Sequence, residues 1–412
     1  MGDLPLLEDL GELRGKRVLV RLDLNVPLAE DASGKRVVAD DFRIRAVLPT
    51  LTWLLNHGAR VTACTHLGRP AGAPDPRYDV EPVRELLAEM IPGVQLLENL
   101  RFSPGEKGND PAFVAQLIEG QDCYVNDAFG VCHRSDASVV GPPKFLPSAA
   151  GRLVQREVEQ LSGLLDNPAR PFVVVIGGAK VADKLGLLSA LARSADQLLI
   201  GGAMAFTFTH ALGQNSGDSL VDLSKLDACK ALIMGSDNIL LPVDFVAAAP
   251  GVELHMGDGS AAPGEGDEVG TVLANPDEVQ ICGQSIPNGW KGYDIGPATA
   301  ELFREAITGA ATVLWNGPMG VFEDRRFAAG TKTVAEAVAA CSGRTVIGGG
   351  DSVAAVNRYG LADRIDHVST GGGASLELLE HGDLPGLRAL RESAARLAAA
   401  REDAGAGSDG DG

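Results

Sequence analysis

Two lysines, Lys180 and Lys184, stand four residues apart just after the apolar run Phe172 to Ile176 and the pair Gly177-Gly178. On a helix starting at Ala179 they share one face, with about 6 Å between their Cβ atoms. That end of a helix is already positive, so two cations there ask for an external anion, most simply a phosphate that backbone N–H groups also hold. Taken alone, the stretch fits equally well a βα corner whose lysines are merely solvated. Further cations tip the balance: Arg43, Arg69, Arg101 and Arg134, with His66 and His133, occur in the first half of the chain. Guanidinium groups recognise phosphate and carboxylate bidentately.

The elements that must position these residues alternate. In the first half the pattern predicts strands at 17–23, 60–65, 94–97 and 122–126, and helices at 41–56, 81–90, 110–119 and 151–165, the first capped by Asp40 or Asp41. After a break at Asp166-Asn167-Pro168 the scheme repeats, with strands near 172–176, 196–200, 239–243, 312–315, 344–347 and 366–369. Such alternation specifies an α/β chain with two doubly wound, parallel, Rossmann-like sheets. Open sheets of this kind bind ligands just past the carboxyl ends of their strands. Those ends carry Asp23-Leu-Asn25, His66-Leu-Gly-Arg69, Glu98-Asn-Leu-Arg101 and the Asn126 to Arg134 stretch in the first half, with Arg43 starting a helix. In the second half they carry Gly177-Gly178, Gly201-Gly202, Trp315-Asn-Gly-Pro318, Gly348-Gly-Gly-Asp-Ser352 and Gly371-Gly-Gly373. One rim is thus rich in arginine and suited to a small anion. The other is lined by glycine, so a flat ring and a phosphate chain can lie against backbone.

Composition excludes several partners. The 412-residue chain is 45% hydrophobic and 22% charged, the balance of a globular protein of two or three domains, and no apolar run is long enough to cross a bilayer. A net charge of −19 argues against nucleic acid and anionic membranes. The six cysteines are scattered without a CxxC pair, as in a reduced cytoplasmic protein. Neither the P-loop pattern nor a G-x-G-x-x-G between strand and helix is present, which disfavours a P-loop enzyme and a nicotinamide dehydrogenase. The glycines around Gly257-Asp-Gly259 lie in a polar excursion at 250–270, and residues 401–412 read as a disordered tail.

Several longer motifs resemble one family. Arg21-Leu-Asp-Leu-Asn-Val-Pro27, His66-Leu-Gly-Arg-Pro70, Gly177-Gly-Ala-Lys-Val-Ala-Asp-Lys184, Trp315-Asn-Gly-Pro-Met-Gly-Val-Phe-Glu323, Gly348-Gly-Gly-Asp-Ser352 and Ser369-Thr-Gly-Gly-Gly-Ala-Ser375 closely resemble phosphoglycerate kinase, in that family's order, over roughly residues 5–390. The resemblance implies reversible transfer of the acyl phosphate of 1,3-bisphosphoglycerate to Mg-ADP, giving 3-phosphoglycerate and ATP. It implies an acid-substrate domain (1–165, completed by the segment near 385–400) and a nucleotide domain (166–384), facing each other across a cleft that closes by hinge bending. By matching position, the acid would contact Asp23, Asn25, Arg43, His66, Leu67, Gly68, Arg69, Arg101 and Arg134, with His133 nearby. The nucleotide would meet Lys184, Gly292, Asn316, Glu323, Gly349, Gly350, Asp351 and Ser352, with Asp351 holding Mg²⁺. Arg43, Lys180, Gly371 and Gly372 would surround the phosphoryl group in transfer. We expect a cytoplasmic monomer.

These roles have plainer rivals. Asp23 and Asn25 suit the turn before Pro27, and Asp351 suits a helix N-cap. Phe42, Val131-Cys132 and Ser135-Asp136 depart from the family pattern, and Asp136 brings a negative charge beside an anion-binding arginine. A fold that retains binding without turnover, and a dehydrogenase on two nucleotide-binding sheets, are the competing readings. Complete Arg43, Lys180, Lys184 and Asp351 disfavour the first, and the missing fingerprint disfavours the second.

Overall fold

In the computed structural model, which describes residues 3–255 and 277–406, the chain forms two compact units. One comprises residues 1–161 with 381–412, the other residues 162–380. The division falls inside helix Arg152–Asp166, a few residues before the break at Asp166-Asn167-Pro168.

The first unit holds a five-stranded sheet in the order 94–96, 60–64, 17–22, 123–127, 148–150, every neighbouring pair parallel. Ranked along the chain this is 3-2-1-4-5, so the winding reverses between strands Arg17–Leu22 and Cys123–Asp127. The second unit's six strands run 239–240, 197–200, 172–176, 312–316, 344–348, 367–368, again all parallel. Its order, 3-2-1-4-5-6, reverses between Phe172–Ile176 and Thr312–Asn316. Ligand-binding crevices open at such reversals, which puts Asp23 beside one and Gly177 and Asn316 at the other. Phe172–Ile176 is buried at every position, as expected of a strand covered on both faces. Each sheet has its own apolar core, around Val18, Val20, Val47 and Leu51 in the first and Val173, Val175, Trp315 and Ile347 in the second.

Several local expectations are corrected. No helix starts at Ala179: residues 179–184 form a turn, and the helix is Leu185–Ser194 with Lys184 at its N-cap position. Gly178 takes a φ of +99°, and the Lys184 ammonium turns back onto the Gly177 carbonyl. Lys180 and Lys184 therefore do not share a helical face. The strand expected at 239–243 splits at Pro242, which has no N–H for a ladder. Its continuation, Asp244–Ala248, is the centre of a separate antiparallel sheet with Val279–Gly283 and Lys291–Ile295. Of the two expected caps, Asp41 occupies the N-cap position but pairs with Arg45, and it is Asp40 that accepts the Phe42 N–H (2.8 Å).

The last helix, Pro385–Ala406, packs on the first unit, where Gly386 N–H donates to Cys132 O (2.9 Å) and Ser393 Oγ to Leu146 O (3.0 Å). It continues through residues 401–406, which were expected in the tail; 407–412 and most of the 250–270 excursion, with Gly257 and Gly259, lie outside the described residues. Among the described residues no helix is long and apolar enough to cross a membrane.

Candidate active site

The arginine rim is built on the first sheet. Strand Arg17–Leu22 delivers Asp23, 7% exposed, and helix Phe42–Asn56 turns Arg43 Nη1 onto Asp23 Oδ2. His66, at the end of strand Arg60–Cys64, lies with Nδ1 4.0 Å from Asp23 Oδ1. Asn25 Oδ1 accepts the Gly68 N–H (2.8 Å), and Arg101 Nη1 donates to Gly68 O (2.6 Å), so the peptide groups on both sides of Gly68 are tied down. Asn99 braces the same loop through Leu67 N–H, Leu67 O and Tyr78 O. Leu67 and Gly68 are thus held by their backbones. Arg134 Nε donates to His133 Nε2 (3.3 Å), and Arg69 is exposed.

The electrostatics mark this rim as short of negative charge. Burial holds His66 well below the ordinary imidazole pKa, and the fields of Arg21, Arg101, Arg134 and Arg43 push the same way. Burial also lowers Arg101, with Arg134 adding to it and Asp136 opposing. Asp136 is 8% exposed, and its carboxylate partly offsets the arginines. Cys132 is buried, its Sγ directed to Ala128 O (3.5 Å). Phe42 is exposed beside Arg43.

The glycine rim belongs to the second unit. Gly177 N–H donates to Asn316 O (2.8 Å) and Gly178 N–H to Pro318 O (2.9 Å), so the loops after strands Phe172–Ile176 and Thr312–Asn316 touch backbone to backbone. A Cβ on Gly177 would stand 2.2 Å from Pro318 O, and one on Gly317 (φ +90°) 2.3 Å from Gly177 O. Into this junction Lys184 Nζ donates to Gly177 O (2.8 Å) and Asn316 Oδ1 (2.6 Å). Desolvation brings its pKa down to about 8, against the opposing fields of Asp351 and Asp183. Asn316 Nδ2 reaches Gly348 O (2.7 Å), and Ser352 Oγ accepts the Gly317 N–H (2.6 Å), which joins the Gly349–Ser352 turn to the same junction. Asp351 is exposed in the first turn of helix Gly350–Arg358. Gly371 N–H rests on Ser369 Oγ (3.1 Å), Gly372 has a φ of +50°, Glu323 is half-buried and Lys180 is exposed. Gly292 stands apart: it is buried in the antiparallel sheet, where a Cβ would meet Phe206 at 2.3 Å.

Sequence reasoning gave no role to a buried group beneath the arginine rim. Arg21, wholly buried, donates from Nε to Ser138 Oγ (2.8 Å), which donates to Glu106 Oε1 (2.6 Å). A charged residue amid Val18 to Leu24 was the available signal, since a buried ion requires partners.

Two parallel α/β sheets, one with an arginine-rich rim at its reversal point and the other with a glycine junction holding a lysine, make a doubly wound α/β architecture of the kind suited to phosphorylated ligands. Comparison narrows the class. The model of the family described as Phosphoglycerate kinase matches residues 7–95 and 92–382. A phosphoglycerate kinase of Rubrobacter xylanophilus is 48% identical over 405 residues, covering 92% of this chain and 97% of the relative. The cytosolic phosphoglycerate kinase 3 of Arabidopsis thaliana is 44% identical over 414 residues, covering 93% and 97%. The structure of phosphoglycerate kinase from Coxiella burnetii superposes with a TM-score of 0.80 at 32% identity, covering 95% of this chain and 99% of that one. The chain belongs to the phosphoglycerate kinase family. Its reaction is the reversible phosphoryl transfer between 1,3-bisphosphoglycerate and ADP that yields 3-phosphoglycerate and ATP, a step of glycolysis and gluconeogenesis.

Proposed function

We propose that the two rims divide the reaction's ligands between them. The arginine rim takes the acid: Asp23 and Asn25 orient its hydroxyl, and His66, Arg69, Arg101 and Arg134, with the Leu67-Gly68 backbone, bind its phosphate and carboxylate. The glycine rim takes ADP or ATP against Lys184, Asn316, Glu323 and the Gly349–Ser352 turn. Gly292, in the antiparallel sheet where it leaves room for the Phe206 ring, is carried to the same ligand by the family resemblance alone. The observation that carries the assignment is the crowding of Arg21, Arg43, Arg101 and Arg134 around one buried imidazole in a chain of net charge −19. Like charges gather in this way where an anion joins them, and each charge-assisted hydrogen bond contributes about 1.5–3 kcal/mol.

Among the described residues no three His, Cys, Asp or Glu side chains form a metal cage. One exposed carboxylate at a helix start fits Mg²⁺ that keeps most of its contacts to phosphate oxygens and water, so Asp351 would hold the ion. Bound there, the ion would neutralise phosphate charge. In transfer, the bond between phosphorus and the acyl oxygen breaks as a β-phosphate oxygen of ADP bonds to phosphorus, and 3-phosphoglycerate leaves as carboxylate. Both nucleophiles, forward and reverse, are already ionised, so no general base is required. Positive charge and positioning carry the catalysis, with Arg43, Lys180 and the Gly371-Gly372 backbone serving the phosphoryl oxygens. The enzyme works as a cytoplasmic monomer. Calorimetry tests the division: Arg134→Ala should weaken 3-phosphoglycerate and spare ADP, and Asp351→Ala the reverse. Equal weakening of both ligands by either change would overturn it.

A further inference from the structure

The buried group under the arginine rim has a chemical consequence. Arg21 Nη2 lies 3.3 Å from His66 Nδ1. A guanidinium is permanently charged and has donors only, so the nitrogen facing it must accept. Nδ1 therefore carries the lone pair, and Nε2 the proton. Arg21 is itself held in place: Nε by Ser138 Oγ (2.8 Å) and Nη1 by Leu22 O, with the Glu106 carboxylate 4.0 Å away. Glu106 accepts both the Ser138 hydroxyl (2.6 Å) and the Ser138 N–H (3.0 Å), and the Tyr124 hydroxyl donates to Ser138 O (2.7 Å). Arg21, Ser138, Glu106 and Tyr124 are all nearly or wholly inaccessible to solvent. Networks of this kind are costly when one member is missing, because the others stay buried.

We propose that Ser138 and Glu106 are positioning residues of the reaction: through Arg21 they fix His66 as the Nε2–H tautomer, a neutral donor to the acid substrate. The inference rests on the assignment of that rim to the acid. The groups facing His66 are Asp23, 4.0 Å from Nδ1, and Arg21, Arg43, Arg101 and Arg134, and burial, with the field of these cations added, keeps a second proton off the ring. A neutral donor suits a ligand whose negative charge the arginines already match. Ser138 also follows Arg134 by four residues, at the start of the short helix Ala137–Val140. Glu106, by holding the Ser138 N–H, anchors the loop that carries Arg134.

The test compares Ser138→Ala, Ser138→Thr and Glu106→Gln in the full-length enzyme. Nitrogen-15 NMR of labelled histidine reads the His66 tautomer directly, whatever ligand the rim holds. Wild type should show a protonated Nε2 and a bare Nδ1 across neutral pH. Ser138→Ala and Glu106→Gln should mix the tautomers and raise KM for 3-phosphoglycerate about tenfold, with KM for ATP unchanged. Ser138→Thr, which keeps the hydroxyl, should restore both readings. A Ser138→Ala enzyme with an unmixed Nε2–H tautomer and an unchanged KM for 3-phosphoglycerate would overturn the proposal, as would a wild-type ring protonated on Nδ1. Should the acid assignment fail instead, Arg134→Ala would leave 3-phosphoglycerate binding intact while the tautomer still responded to Ser138→Ala.

Discussion

Lys184 offers a pH dependence that can be worked from its surroundings. Its ammonium sits in the glycine junction against two neutral acceptors, Gly177 O and Asn316 Oδ1. Desolvation outweighs the fields of Asp351 and Asp183, and the pKa comes down to about 8. A lowered lysine pKa means that the charge is present below pH 8 and lost as the pH rises through it. About nine-tenths of the ammonium survives at pH 7 and about one-tenth at pH 9. If only the charged form binds nucleotide, the Kd for ADP should rise about tenfold between those pH values. The nucleotide does not obscure this, since a terminal phosphate with a second pKa of about 6 is already about nine-tenths ionised at pH 7. Binding should also take up protons, so the enthalpy near pH 8.5 should depend on the buffer's ionisation heat. Isothermal titration of ADP at pH 7, 8 and 9 measures both effects, and Lys184→Ala should bind weakly with no pH dependence over the range. A flat Kd in the native enzyme, or a dependence that survives in Lys184→Ala, would refute the reasoning.

Arg43→Ala should lower kcat by about a hundredfold or more while KM for ADP changes little, as for a contact made mainly in the transition state; steady-state kinetics in the direction of ATP synthesis checks the split. Gly317→Ala combines a φ of +90° with a Cβ 2.3 Å from Gly177 O, so it should destabilise the second unit by about 2 kcal/mol or more, seen as a lower thermal midpoint in scanning calorimetry. Gly292→Ala should weaken ADP by displacing Phe206, since a Cβ there would stand 2.3 Å from its ring, and 3-phosphoglycerate affinity should stay unchanged in the same titrations.

Parallel architecture was legible because buried strands announce themselves. Five consecutive apolar residues at Phe172–Ile176 followed by two glycines leave little but a central strand ending at a crevice. The arginine rim was legible for a related reason: Asp23, His66 with Arg69, Arg101 and Arg134 follow successive strands, and parallel winding brings all those ends to one side. What escaped were relations that depend on approach between distant segments. Arg21 and Ser138 lie 117 residues apart, and Ser138 and Glu106 are 32 apart. No local period connects them, so only the oddness of an arginine among valines pointed inward. The antiparallel sheet was missed because Pro242 splits one apolar run into pieces of two different sheets.

The two lysines show where local rules fail at a site. Helix periodicity placed Lys180 and Lys184 side by side, and the anion argument was built on that pairing. The backbone instead delays the helix to Leu185, and Lys184 enters the junction alone while Lys180 stays exposed. The separation suits the chemistry better than the pairing did. Two ammonium groups about 6 Å apart would depress each other's pKa and compete for the same oxygens. Held apart, Lys184 is fixed and partly desolvated where the nucleotide's phosphates are expected, and Lys180 is left exposed for the transfer role proposed for it. The same division holds on the other rim, where His66 and Arg101 are locked by backbone and buried partners while Arg43 stays partly exposed on Asp23. In the proposed assignment each rim pairs a buried group that binds ligand with a less buried cation, and those two cations, the half-buried Arg43 and the exposed Lys180, are the ones assigned to the phosphoryl group that changes hands.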